Sequence, residues 1–156
     1  MSPAKDRTFV YAIHIAASVE KLWEALTSDE FIRQYWPEWR FETDWKAGSK
    51  LRYYWAENGK LYSEGEVLES DPPKKLVFTW PEHEAKPDTL PELLTWEISQ
   101  HSPSVVVLKL THERLTEEWY QGVSSGWPMI ISSIKTLLET GKPLPLEERP
   151  KADFEF

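Results

Sequence analysis

The 156-residue chain has no cysteine, which excludes disulfides, thiolate metal sites and cysteine nucleophiles and fits a reducing compartment. No apolar run approaches the roughly 18 residues of a membrane span, and the polar start Met1–Arg7 lacks the shorter apolar heart of a secretion signal. Cytoplasmic residence with no membrane partner is the expectation. Basic charge is also short: 18 Lys and Arg are scattered among 26 Asp and Glu, for a net charge of -8. Such a surface repels phosphate backbones, so no nucleic-acid partner is expected. Histidines are few and dispersed. His14, His83, His101 and His112 show neither H-E-x-x-H nor a short paired spacing, so neither a metal site nor a cofactor is expected. Glu82-His83-Glu84 sits among prolines and reads as a solvated charge cluster.

What the chain has in excess is aromatic: nine Trp, six Tyr and six Phe. Each indole brings a large apolar area and one N–H that needs a partner when buried. A chain this long forms about one domain, burying roughly 68–70% of the surface it exposes unfolded. The rings are then either a heavily aromatic core or the lining of a ligand cavity.

Alternation of Phe9, Tyr11, Ile13 and Ile15 with Thr8, Val10, Ala12 and His14 predicts a strand over Thr8–Ile15. Ser18 stands as an N-cap before Val19, Leu22, Trp23 and Leu26, and Ser28 before Phe31, Ile32, Tyr35 and Trp36, so two short helices follow and Pro37 stops the second. Gly48 and Asn58-Gly59 then separate strands over Arg40–Trp45, Lys50–Trp55 and Leu61–Ser70. Asp71-Pro72-Pro73 ends the last of these, and a strand through Leu76, Phe78 and Trp80 follows. Pro81–Pro91 reads as a loop, and Leu93–Gln100 and Ser104–Leu115 as the final pair of strands. Trp127, Ile130, Ile131, Ile134, Leu137 and Leu138 lie on one face of a long helix capped by Gly141, with Pro128 in its first turn or at an internal kink. Residues 1–7 read as an N-terminal tail, 8–141 as one domain and 142–156 as an extended tail.

The order β-αα-β6-α predicts an α+β helix-grip fold: a curved antiparallel sheet of six or seven strands around a long C-terminal helix, with two short helices after strand one. Ile13-His14-Ile15-Ala16-Ala17-Ser18-Val19-Glu20-Lys21-Leu22-Trp23, Trp45-Lys46-Ala47-Gly48-Ser49, Gly65-Glu66-Val67-Leu68-Glu69, Asp71–Trp80, Gly126-Trp127 and Leu137-Leu138-Glu139-Thr140-Gly141 carry a resemblance. In order and spacing they resemble the homologues of the heat-shock-protein-90 ATPase activator C-terminal domain, within the START-like (SRPBCC) superfamily. The resemblance implies an interior cavity. It also implies a superfamily that includes lipid carriers, hormone receptors, polyketide cyclases and chaperone cofactors.

Strand phase selects the candidate lining. Tyr53 and Trp55 share a face with Leu51, and Phe78 with Trp80. Trp96 lies between Leu94 and Ile98, and these faces converge on the helix stripe bearing Val123, Trp127 and Ile130. Trp36 and Trp39 are placed at the pocket mouth by the resemblance. His112, in phase with Val106, Leu108 and Leu110, points inward, as a hydrogen-bonded core histidine or a polar handle for a ligand. Ordinary core packing is the alternative for each residue singly. Gly122-Val123-Ser124-Ser125-Gly126 matches G-x-S-x-G but follows an acidic, helical segment rather than a strand, so it reads as helix packing, not a nucleophile.

The expected function is non-catalytic binding of a small hydrophobic or aromatic molecule. The alternatives are a chaperone-ATPase activator-like or self-associating interaction module, and a polyketide cyclase/dehydratase-like enzyme. The enzyme needs a carboxylate within hydrogen-bond reach of His112, with Glu64 or Glu66 as candidates.

Overall fold

The computed structural model describes residues 4–81 and 90–145. Glu82-His83-Glu84, the body of the Pro81–Pro91 loop and most of the 142–156 tail lie outside the described residues. The elements run β1 (Arg7–Ile15), α1 (Val19–Thr27), α2 (Asp29–Tyr35), β2 (Trp39–Glu42), β3 (Lys50–Trp55), β4 (Leu61–Asp71), β5 (Lys75–Trp80), β6 (Glu92–Ser102), β7 (Val105–Leu115) and α3 (Glu117–Thr140). The strands form one antiparallel seven-stranded sheet in the order β1-β7-β6-β5-β4-β3-β2. β2 to β7 are a meander, and β1 returns to pair with β7, so the ends of the chain's fold meet at one edge.

Local chemistry explains the boundaries. Ser18 Oγ accepts from Lys21 N at 3.1 Å and opens α1, while Thr116 Oγ1 accepts from Trp119 N at 3.2 Å and opens α3. Glu117 and Glu118 in the first turn of α3 suit its positive end. Gly141, at φ 87°, closes α3 with its N–H on Leu137 O at 2.8 Å. Pro128 lies inside α3, not in its first turn. The 24 residues of α3 span about 36 Å, long enough to cross the sheet, and the helix packs on β1 and β7 and against α1 and α2.

The strand predicted over Arg40–Trp45 is shorter and starts earlier, at Trp39–Glu42. Asp44 ends it. Its Oδ1 accepts from Lys46 N at 2.9 Å and from the Ser49 hydroxyl at 2.5 Å, which folds the chain into a turn. Trp45 within that turn has φ 58°, a backbone no strand can use. β4 carries a bulge between Val67 and Glu69, and Gly65 lies so close to β5 that a Cβ there would sit 2.3 Å from Thr79 Oγ1. Thr79 Oγ1 accepts from Glu66 N at 2.9 Å, so the missing side chain makes room for a hydroxyl that serves the bulged backbone.

Candidate functional site

The inner face of β2, β3 and β5, the end of α2 and the middle of α3 bring one ring cluster together. Trp36, the C-cap of α2, stacks on Trp39 of β2 with ring centroids 5.4 Å apart and planes 7° from parallel. Trp39 also meets Tyr53 at 5.7 Å and Trp55 at 6.0 Å. Trp80 packs on Trp36 at 5.5 Å, Trp39 at 5.5 Å and Trp127 at 5.2 Å, and Phe78 lies 6.2 Å from Trp80. Trp96 meets Trp127 edge-on at 5.7 Å. Val123 and Ile130 are buried one turn to either side of Trp127 on α3. Trp55 stays half-buried and meets Tyr62 at 4.8 Å, so these two form a rim rather than the interior.

A chain of polar groups runs through these rings. The Trp127 indole N–H donates to His112 Nδ1 at 3.0 Å, and His112 Nε2 lies 2.7 Å from Glu92 Oε1. An indole N–H can only donate, so Nδ1 is the acceptor, the ring proton is on Nε2, and Nε2 donates to the Glu92 carboxylate. His112 is 0% exposed and Glu92 7%. Burying a carboxylate and an imidazole costs several kcal/mol unless their hydrogen bonds are made, and here both imidazole nitrogens are engaged. Tyr53 also has its hydroxyl occupied, donating to Thr79 O at 2.6 Å, and burial raises its pKa well above the ordinary phenol value, so it remains a phenol.

Glu92 is the carboxylate that the enzyme reading required, in place of Glu64 or Glu66. Glu64 instead pairs with Arg52 on an exposed face of the sheet, with 3.1 Å between Oε1 and Nε. The signal for Glu92 was available: it stands two residues before Leu94 and so shares the inward phase of Leu94, Trp96 and Ile98. Pro91 beside it marked the segment as loop and hid the strand's first residue. Phe41, Trp45 and Tyr62 also join the cluster without having been singled out.

Trp45 links the cluster to the surface. It meets Phe78 at 5.4 Å and Phe41 at 6.2 Å, and it lines an open groove of about 410 Å³ with Trp23, Asp44 and Lys46. The Asp44 bracket fixes the backbone turn that carries this indole, and hydrogen bonds from Ser49 first and Lys46 N second hold the Asp44 carboxyl below its ordinary pKa. Gly122–Gly126 lies within α3, where Ser124 and Ser125 donate to Tyr120 O at 2.6 Å and Gly122 O at 3.0 Å. These serines brace the helix and make no nucleophile elbow.

A curved antiparallel sheet gripping one long helix defines the START-like helix-grip class. The family profile described as activator of Hsp90 ATPase homolog 1-like protein matches residues 16–139, and the chain belongs to that family. Among solved structures it is similar to a Mesorhizobium loti protein, with 26% identity and TM-score 0.71, covering 85% of this chain and 97% of that one. It is similar to a Cytophaga hutchinsonii protein, also at 26% and 0.71, over 90% of this chain and 98% of that one. The Aha1 dimer from Colwellia psychrerythraea, at 20% identity, shares the fold with TM-score 0.72 over 87% of this chain and 98% of that one. A comparison with curated proteins gives no match. Among the described residues no helix is long and apolar enough to cross a membrane.

Proposed function

We propose that the chain binds a small, flat hydrophobic or aromatic molecule among the rings between β2, β3, β5 and α3. The observation that carries this reading is the Trp127–His112–Glu92 chain within an otherwise aromatic cluster. A core built for stability alone gains nothing from a buried carboxylate, since an apolar replacement of similar shape is often as stable. Convergent polar groups in an apolar surround are what a site needs to orient a ligand.

The rings touch one another, so a ligand enters by parting them. Ring pairs contribute about 0.5–1.5 kcal/mol each beyond their buried area, a cost the ligand offsets by covering the parted faces and by burying its own apolar groups, at roughly 1.5–3 kcal/mol for each large one. Trp45, with one side on the groove and the other on Phe41 and Phe78, is the side chain placed to admit it. A carboxylate accepts hydrogen bonds and donates none, so a ligand drawn to Glu92 carries a hydroxyl or N–H group. His112, with both nitrogens engaged, holds Glu92 in place.

Titration of intrinsic Trp fluorescence with fatty acids, flavonoids and aromatic acids, alongside native mass spectrometry, tests this reading. Saturable quenching at one molecule per chain is expected, with Glu92→Gln weakening phenolic ligands more than apolar analogues. A flat response across the panel with no co-purified molecule would remove it. The same spectra read copy number and so address the alternative partners. Family membership supports a chaperone, and the dimer named for the Colwellia protein supports a second copy.

A further inference from the structure

We propose that His14 and His101 form a two-imidazole site for a borderline divalent metal ion, zinc or nickel, on the outer face of the sheet. The two residues are remote in sequence, and the fold brings them together. His14 lies on β1 in the outward phase, opposite to Ile13 and Ile15, and both histidines are exposed. Their ring centroids are 4.5 Å apart with planes at 81°.

That proximity is built by the backbone. His14 pairs with Val107 of β7, and Val107 pairs on its other side with Ser99 of β6, so the two histidines flank β7. Two strand spacings separate β1 from β6 by roughly 9.5 Å, and so both side chains must lean across β7. On β6 the register passes from Gln100↔Val106 to Ser102↔Val105, which makes His101 the extra residue of a bulge. Bulges re-aim the side chain they carry. Gln100 braces this one, its amide donating to Ser102 O at 2.5 Å and Val105 O at 3.3 Å.

Neutral imidazole is the side chain best suited to zinc, nickel and copper. With metal–nitrogen bonds of about 2.0–2.1 Å, two nitrogens on one tetrahedral ion lie about 3.3 Å apart. On such an ion the two ring centroids lie about 5 Å apart, and rings now 4.5 Å apart with planes at 81° reach that arrangement by side-chain rotation, a ps–ns motion for exposed residues. No group of three or more His, Asp or Glu ligands forms among the described residues, so water completes the coordination. The net charge of -8 favours a cation at the surface. Lys135, on His14 O, is offset by Glu139 at 2.7 Å, and Lys109, which shares the outward face of β7 with Val107, by Glu97 at 3.8 Å.

The test is isothermal titration of the tag-free, EDTA-treated full chain with zinc chloride and with nickel chloride at neutral pH. One ion per chain with micromolar affinity is expected. His14→Gln and His101→Gln should each weaken binding at least tenfold, with thermal melting unchanged because both positions are exposed. Paramagnetic nickel should broaden the imidazole proton resonances of these two residues before those of His112. Absence of saturable binding, or binding that survives the double variant or is abolished by His83→Gln, would overturn the proposal.

Discussion

Around the β6–β7 turn the buried residues are aliphatic. Ile98, Val106 and Leu108 on the sheet join Ile131, Ile134 and Leu137 of α3, with Ile15 and Leu22 completing that part of the core. The hydroxyl of Ser133, fully buried there, accepts from Leu144 N at 3.3 Å. At the other end of the same sheet and helix, Trp36, Trp39, Trp80 and Trp127 replace the aliphatic residues and enclose His112 and Glu92. One sheet and one helix supply both ends, so the fold does not demand the polar chain. The aliphatic end shows what suffices for stability, and the aromatic end carries what stability leaves unexplained.

The largest effect that separates the two ends comes from truncating α3. Trp127→Ala should cost roughly 3–5 kcal/mol and Ile134→Ala roughly 2–5 kcal/mol in denaturant unfolding. Only Trp127→Ala should also change ligand quenching, because it removes both a cluster ring and the donor to His112. Equal binding by the two variants would erase the functional distinction between the ends. Trp127→Phe sharpens it: a smaller ring remains while His112 Nδ1 loses its donor, at about 1–3 kcal/mol for a buried acceptor left unmade, in addition to the cost of the lost pyrrole volume.

A further difference lies in the sheet beneath the rings. Gly65→Ala forces a Cβ to within 2.3 Å of Thr79 Oγ1, beside the Tyr53 hydroxyl bond to Thr79 O. Overpacking of this kind costs about 1–3 kcal/mol. Combined with Thr79→Ala, which removes the obstructing hydroxyl, it should cost measurably less than the sum of the two single changes in a double-mutant cycle. Strict additivity would mean that the close approach at Gly65 does not constrain this end of the sheet.

Periodicity made the helices and most strands legible, because each buries one face against a single layer. Inward phase also places Trp80, Trp96, His112 and Trp127 on facing surfaces from the sequence alone. Proximity across strands was not legible. The Glu92–His112 bond depends on the pairing of Leu94 with His112, and the His14–His101 contact on a bulge that no composition rule marks. Alternation extends the strand to Trp45 because it is silent about positive φ, which here accompanies the Asp44 hydrogen bonds. Sequence reading found the residues that obey a period and missed those placed by a break in one.

The smallest expected effect probes how the aliphatic end is tied down. Glu139 near the end of α3 accepts from Ala16 N at 2.8 Å and from Lys135 Nζ at 2.7 Å, closing the β1–α1 corner onto the helix. The Ala16 N–H first, and Lys135 second, hold its carboxyl below the ordinary value of 4.5. A carboxyl depressed on folding stabilises the native state above its unfolded pKa, and that contribution fades as pH falls through the lower folded value. Glu139→Gln should therefore reduce stability slightly at neutral pH and flatten its decline on acidification below about pH 5. Thermal melts of both proteins should converge as acid removes the charge that only one of them carries. Curves that stay parallel through the acid range would show that the corner is held by packing alone, without help from the carboxylate.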